Sequence, residues 1–353
     1  MNEIFSASFP RQMYGLRRSD SKMMIVQEGL IKNSSLYDLP QILKEGDLLI
    51  FNNSRIVPAS IDVYSEDMQE YLTVNIGTDR FSDLFLLEVR PKGKGYYLKE
   101  ESSLELLDGS GSIELFKRHS LFPRYWWGRL RGTDAKIEQI LRRFGKFIRY
   151  DHIPFDIPEE LYHGYFYRIP GSVEIPSASY SFDNEIIGEL IQKGIEIREL
   201  TLHCNLGSLE PEEFLGVRRL MEERYCIPVQ TLRSIFKARM RGNRVIAVGT
   251  TVVRALETVV ENAVGLFTLR KIVESYEQGD VSGTTSLFID ERHSIKMVDG
   301  IITGMHEKEG SHIMMIRSFV DENTIDKISE YANLWGYQYH EFGDLELIFL
   351  NRK

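Results

Sequence analysis

The sequence predicts an α/β protein that carries an inserted small β-barrel domain, and two changes of texture predict it. From about residue 62 to 150, short alternating runs such as Leu84-Phe85-Leu86-Leu87-Glu88-Val89 and Ser112-Ile113-Glu114-Leu115 are separated by Lys-Gly and Asp-Gly-Ser-Gly turns, the pattern of short antiparallel strands. After Pro170, helical and extended patterns alternate, as an α/β layer requires. A chain of 353 residues with 42% hydrophobic content can bury a sizeable core and exceeds one ordinary domain, so two domains are expected.

Taken in order, Leu36 to Ile61 reads as a short helix, a Glu-Gly-Asp turn, the apolar strand Leu48-Leu49-Ile50-Phe51, an Asn-Asn-Ser turn and a second strand beginning near Arg55,. Beyond the β-rich segment, Glu185 to Lys193 predicts a helix, Ile195 to His203 an extended run, and Pro211 to Arg224 a helix. Arg244 to Val248 then predicts a strand and Thr251 to Val260 a further helix,.

Composition narrows the classes of function. Charge is scattered, without repeats or low-complexity tracts. The amino-terminal stretch lacks an apolar core of the signal-peptide kind, and no segment approaches the about 20 apolar residues that span a bilayer. A cytoplasmic protein with no membrane partner is therefore expected. Cys204 and Cys226 fall in no metal-ligand or disulfide spacing and read as small apolar fillers, so no metal site is expected.

A formal net charge of −9 disfavours indiscriminate nucleic-acid binding but leaves room for a local basic surface. Basic and aromatic residues interleave from Phe116-Lys117-Arg118-His119 through Tyr125-Trp126-Trp127, Arg129 and Arg131 to Arg142-Arg143, Lys146 and Arg149,. An equally good reading is a solvated strand face whose aromatics pack inward.

Several punctuated motifs run in order along the chain. Arg18-Ser19-Asp20-Ser21-Lys22-Met23-Met24 is followed by Gly46-Asp47-Leu48-Leu49-Ile50-Phe51-Asn52-Asn53-Ser54-Arg55-Ile56-Val57-Pro58-Ala59, then Gly171-Ser172-Val173 and Thr201-Leu202-His203. Ala247-Val248-Gly249-Thr250-Thr251-Val252-Val253-Arg254-Ala255-Leu256-Glu257 comes next, then Gly283-Thr284-Thr285-Ser286-Leu287-Phe288-Ile289, Val298-Asp299, Thr303 with His306, and Phe342-Gly343-Asp344. Collinear from Arg18 to Asp344, this set resembles the S-adenosylmethionine:tRNA ribosyltransferase-isomerase family of queuosine biosynthesis.

The resemblance implies an α/β catalytic domain built from residues 1–61 and 151–353, with the barrel inserted at 62–150. It also implies a reaction in which S-adenosylmethionine, a co-substrate and not a bound cofactor, donates its ribosyl unit to an aminomethyl-deazaguanine in tRNA. The sulfonium acidifies the ribose C5′ proton, a base removes it, adenine departs and the acceptor amine attacks, giving epoxyqueuosine with adenine and methionine released. Such a site needs a base, a donor for the departing adenine, ribose-binding groups and a cation for the methionine carboxylate. No metal or redox cofactor is required.

Individual residues then take candidate roles. His203 closes an extended run, where ligand crevices open in α/β sheets, and is a candidate base or adenine donor; a strand-end histidine is otherwise structural. Glu223 keeps a family carboxylate, whereas Arg218 and Met221 replace two family histidines; in isolation it reads as part of a solvated helix face. Gly249-Thr250-Thr251 forms a strand-to-helix turn that offers free N–H groups and hydroxyls to a ribose or carboxylate. Arg254, one helical turn on, would hold the carboxylate, or pair with a neighbouring acid while Thr250 caps the helix. Arg55 would grip an anion or brace a turn. His306 is retained in a loop that gains Gly310 and loses the family's proline, which predicts a more flexible loop. Asp299 and Asp344 match family positions, at turns where aspartate also bonds local backbone.

Departures gather in the segments expected to hold substrate. Glu174, Ile175, Ser179, Tyr180 and Ser181 replace the family's Ala, Ala, Gly, Leu and His, and Asn205 replaces a glycine while still tolerating a left-handed turn,. The leading expectation is therefore the family reaction on tRNA. The alternatives are a diverged paralogue using S-adenosylmethionine on a small-molecule amine, and a non-catalytic tRNA- or nucleoside-binding protein.

Overall fold

The computed structural model describes residues 5–207, 218–307 and 310–351. In chain order β1 (Phe5–Ser6), β2 (Lys22–Gln27), β3 (Leu30–Ser35), α1 (Leu39–Ile42), β4 (Leu48–Asn52) and β5 (Ser54–Ile56) come first. Six strands follow: β6 (Ser60–Ser65), β7 (Glu70–Phe81), β8 (Leu84–Arg90), β9 (Ser103–Leu106), β10 (Ser112–Arg118) and β11 (Tyr125–Arg131). Next are α2 (Ile137–Phe144), β12 (Ile169–Ser172), α3 (Asn184–Gln192), β13 (Glu196–Leu202), β14 (Arg219–Pro228), α4 (Val229–Met240), β15 (Val245–Val248) and α5 (Thr250–Asn262). The remainder is α6 (Leu266–Ser275), β16 (Asp280–Leu287), β17 (Gly300–Gly304), α7 (Ser311–Ile316), α8 (Glu322–Leu334), β18 (Gln338–Tyr339) and β19 (Leu345–Phe349).

The sheet that carries the fold has nine strands in the order β16-β14-β13-β4-β15-β17-β19-β2-β3. At its centre β13, β4, β15 and β17 run parallel. Every residue of β4 is buried, as expected of a strand covered on both faces. Its alternation sends Leu48 and Ile50 into one apolar cluster, with α4, α5, α7 and α8. Leu49 and Phe51 enter the opposite cluster, with α1, α3 and the 153–182 segment. The α/β architecture is therefore helix, sheet, helix. Its strands come from both ends of the chain, so the barrel interrupts one sheet without standing between two.

Strands β10-β11-β8-β7-β6-β9 close into a barrel. Val63, Val74, Leu87, Leu104, Ile113 and Trp126 fill its interior, and α2 seals it with Ile137, Ile140 and Leu141. A smaller apolar cluster of Leu86, Phe122, Tyr125, Val173, Leu206, Leu220 and Met221 packs the barrel against the α/β unit. No helix among the described residues is long and apolar enough to cross a membrane.

One predicted element is corrected. Of the helix expected over Pro211 to Arg224, residues 211–217 lie outside the described residues, while Arg219 to Arg224 is the start of β14. The Arg/Glu-rich stretch has helical spacing, yet its burial alternates from Glu222 to Tyr225, and pairing to β13 on one side and β16 on the other decides its conformation,. Glu223 therefore projects from a sheet and not from a helix face.

Candidate active site

A cavity of about 280 Å³ opens at the carboxyl ends of the central parallel strands, the position at which α/β sheets bind ligands. Asn52, at the end of β4, ties these ends together. Its side-chain oxygen accepts from the N–H groups of Ser54 and Leu202, and its amide donates to the Leu202 carbonyl at 2.9 Å and to Thr251 Oγ1 at 3.3 Å.

From the end of β15 the chain turns through Gly249 into α5. Gly249 has φ 102° and ψ 148°, a conformation left to glycine, and a Cβ here would meet Ala178 Cβ at 3.3 Å. Gly249 stands at the N-cap with no side-chain cap, so the first N–H groups of the helix, those of Thr250 and Thr251, point into the cavity wall without an intrahelical acceptor. Thr250 is not the helix cap, and its hydroxyl adds to these donors.

One turn into α5, Arg254 is buried and donates through Nη1 to Glu223 Oε2 and through Nε to the Leu287 carbonyl at 3.1 Å. Its remaining nitrogen, Nη2, is buried without a hydrogen-bond partner among the described residues. Glu223 Oε1 accepts the Asn205 N–H at 3.0 Å. Asn205 also receives the Thr78 N–H at 2.8 Å and donates to Asp79 Oδ2 at 2.6 Å, which couples the barrel to the ion pair. Burial of both charges is costly unless they are paired, so Glu223 holds the guanidinium in place and leaves Nη2 unpaired among the described residues.

The far wall is built of histidines. His306 Nε2 lies 2.8 Å from Thr303 Oγ1, and its ring stacks on His312 with centroids 4.6 Å apart. Burial, then the neighbouring His312 and His340, hold His306 well below the usual imidazole range. Burial, then Arg254, pushes His312 down to about 4, against a small opposing effect of Glu341. Both rings are thus neutral near pH 7. His152 stacks on His340 with centroids 4.2 Å apart and planes inclined by 20°. With Glu341, these two offer ligand atoms within 4.8 Å of one another; rings so nearly parallel direct their in-plane lone pairs side by side and not to a common point. Glu174 also lines the cavity, and burial followed by the charge of Glu88 raises its carboxyl to about 8.

Of the residues singled out in the sequence, Glu223, Gly249, Thr250, Thr251, Arg254 and His306 meet at this cavity. Four others do not line it. His203 turns its ring toward Gly171 and bonds Ser54 Oγ at 2.8 Å, while its neighbour Cys204 reaches the cavity wall. Both lie just past the end of β13, where the His203 N–H still bonds the Arg224 carbonyl and neighbouring side chains of an extended chain point to opposite sides,. Arg55 sits partly buried on β5, opposite Pro170. Asp299 accepts the Val245 N–H at 2.9 Å, at the opposite end of β15 from Gly249. Asp344 accepts from Arg11 Nη2 at 2.5 Å and from the Lys22 and Gln338 N–H groups at 2.8 Å, locking the amino-terminal segment onto the β18–β19 turn.

Sequence reasoning missed Asn52 and His312 as parts of the site, and took Glu174 only as a change of pocket shape and Asn205 only as a turn residue. Asn52 lay inside the best-matching motif, where its position at a strand end was a usable signal. His312 carried none. In the loop after His306, Lys308 and Glu309 lie outside the described residues, whereas Gly310 has φ 134°, which only glycine adopts readily.

Much of the basic stretch is neutralised within the barrel. Arg129 and Arg131 pair with Glu114, Arg124 with Glu88, and Lys146 with Asp62. Arg118 donates to the carbonyls of Pro123, Gly95, Tyr96 and Leu98, and Trp126 is buried. Arg142 and Arg143, in the last turn of α2, are exposed.

Comparison with known proteins matches residues 3–348 to the family described as "Queuosine biosynthesis protein". Among relatives, the S-adenosylmethionine:tRNA ribosyltransferase-isomerase of Natranaerobius thermophilus is 28% identical over 98% of this chain and 98% of that protein. The protein of the same name from Blochmanniella floridana is 30% identical over 93% of this chain and 92% of its own length. A solved structure of S-adenosylmethionine tRNA ribosyltransferase from Thermotoga maritima is 22% identical, spans 94% of this chain and 93% of that one, and has a TM-score of 0.48.

Proposed function

The chain belongs to the queuosine biosynthesis protein family, an enzyme family of transferase-isomerases, and from that premise we propose that it acts on S-adenosylmethionine and 7-aminomethyl-7-deazaguanine in tRNA. The ribosyl unit is transferred and isomerised, yielding epoxyqueuosine, adenine and methionine. The observation that carries the reading is Arg254, whose Nη2 has no hydrogen-bond partner among the described residues and which lines the same cavity as the start of α5. Together they suit the methionine carboxylate of S-adenosylmethionine.

Glu223 acts through Arg254, holding it for the carboxylate, and is a positioning residue. His306, neutral near pH 7 and hydrogen-bonded to Thr303, is the proposed base for the C5′ proton, which the adjacent sulfonium acidifies. The Thr250 and Thr251 hydroxyls suit the ribose. No metal or bound cofactor enters these steps.

A second reading, a small-molecule amine as acceptor, is favoured by the internal pairing of the barrel's basic residues. Incubation of the purified chain with S-adenosylmethionine, with and without tRNA bearing the aminomethyl-deazaguanine, separates the readings by chromatography of adenine and methionine. Release that requires the modified tRNA supports the first; release with small amines alone supports the second; release with neither removes both.

A further inference from the structure

Among the described residues four acids line the cavity, and three of them have a basic side chain close by, although Glu341 Oε2 and His152 Nε2 make no hydrogen bond. Glu223 pairs with Arg254, Glu341 lies 3.1 Å from His152, and Glu307 lies 3.4 Å from His340. Glu174, in the loop after β12, makes no hydrogen bond or ion pair among the described residues and opens onto the same space. Glu174 is only half-buried, its carboxyl opening onto the cavity, and it stands where the family pattern has a small apolar side chain. Backbone needs do not account for it: Ser172 and Cys204 bond to each other, as do Val173 and Cys204, without its help.

Resting on the ribosyl-transfer reading, we propose that Glu174 is the group that binds the primary ammonium of the acceptor and removes a proton from it before attack. One Glu174 carboxylate oxygen takes one proton from R–NH3+, giving the carboxylic acid and R–NH2; the freed electron pair forms the new C–N bond to the ribosyl unit, whose bond to adenine breaks with its electron pair leaving on adenine, and the second amine proton passes to solvent. No oxidant or further reactant is consumed.

The surroundings suit this exchange. Glu88 and Arg124 face Glu174 from the barrel, Glu223 from β14 and Glu341 from the β18–β19 turn, with Tyr150 beside it. Glu88 and Glu223 are themselves paired with arginines, so the added charge of an ionised Glu174 is the one a bound ammonium would balance. Burial and those acids raise the Glu174 carboxyl to about 8, against the opposing pull of Arg124. Its proton affinity thereby approaches that of an alkylammonium, ordinarily near ~10.4, and general-base efficiency rises with such matching.

The test uses the full chain, tRNA bearing 7-aminomethyl-7-deazaguanine, and the variants Glu174→Gln and Glu174→Ala. Adenine release is measured against acceptor concentration from pH 6 to 9, and S-adenosylmethionine binding is measured by calorimetry. The expected result is unchanged S-adenosylmethionine affinity, which also reports a folded site, with acceptor kcat/KM about 100-fold lower. The wild-type rise in rate through about pH 8, where the carboxylate forms, should be absent from both variants. Wild-type kcat/KM with an unaltered pH profile in the variants overturns this role and leaves the ribosyl-transfer reading standing. A wild-type chain that neither binds nor consumes S-adenosylmethionine overturns both.

Discussion

Arg254 on α5 and Glu223 on β14 form a buried ion pair in the cavity wall, and the Nη2 of the same guanidinium remains without a hydrogen-bond partner among the described residues. A carboxylate held on one edge and a free donor on the other make the arginine a pre-oriented anion site.

Arg254→Lys should keep the charge but lose the fork geometry, weakening S-adenosylmethionine binding about 10-fold in calorimetry. Arg254→Met should in addition strand the buried Glu223 carboxylate and cost roughly 3–5 kcal/mol in denaturant unfolding. The two losses separate binding from stability. An Arg254→Lys chain with wild-type affinity would remove this residue from the carboxylate site.

Gly249→Ala should destabilise the chain by about 1–3 kcal/mol, because φ 102° is strained for any side chain,. It should also weaken S-adenosylmethionine binding, since the new methyl group meets Ala178 and shifts the first N–H groups of α5. Urea midpoints and calorimetric Kd values check the two effects.

Asp344→Asn should lower stability without changing S-adenosylmethionine affinity in the folded fraction. The carboxylate serves Arg11, Lys22 and Gln338 and does not line the cavity. A loss of roughly 1–3 kcal/mol is expected from the weakened charge-assisted bonds. A selective loss of affinity would return Asp344 to the binding residues.

Acid should weaken the fold through His312. Its folded pKa is depressed to about 4, so between about 6.5 and 4 the unfolded chain binds a proton that the folded chain does not, and stability falls as pH falls through that window. The contribution between pH 7 and pH 5 is about 2 kcal/mol at most. His312→Asn should flatten this part of the pH dependence in urea titrations, and an unchanged slope would assign the acid sensitivity elsewhere.

Arg142→Glu combined with Arg143→Glu should reduce tRNA affinity and lower the slope of log affinity against log salt by about 1–2. These two exposed side chains lie outside the barrel's internal ion pairs. An unchanged slope would move the tRNA contact away from α2.

The sequence by itself determined the repeating features of the fold. Period-two runs marked the barrel strands. The apolar run Leu48-Leu49-Ile50-Phe51 marked a strand, and the strand-turn-helix around Gly249 marked a ligand-facing helix start. Each of these is written in neighbouring residues, because backbone conformation and burial periodicity act over one or two turns of chain. Tertiary structure alone decided which of the marked residues meet. It turned the helical-looking Arg219 to Arg224 stretch into a strand, because two partner strands offered it hydrogen bonds. It rotated His203 out of the cavity and Cys204 in, placed Asp299 at the end of the sheet away from the cavity, and brought Glu174, Glu223 and His312 to one cavity from segments far apart in the chain. Such meetings depend on sheet order, register and the packing of barrel against sheet, and none of these is a property of any single segment.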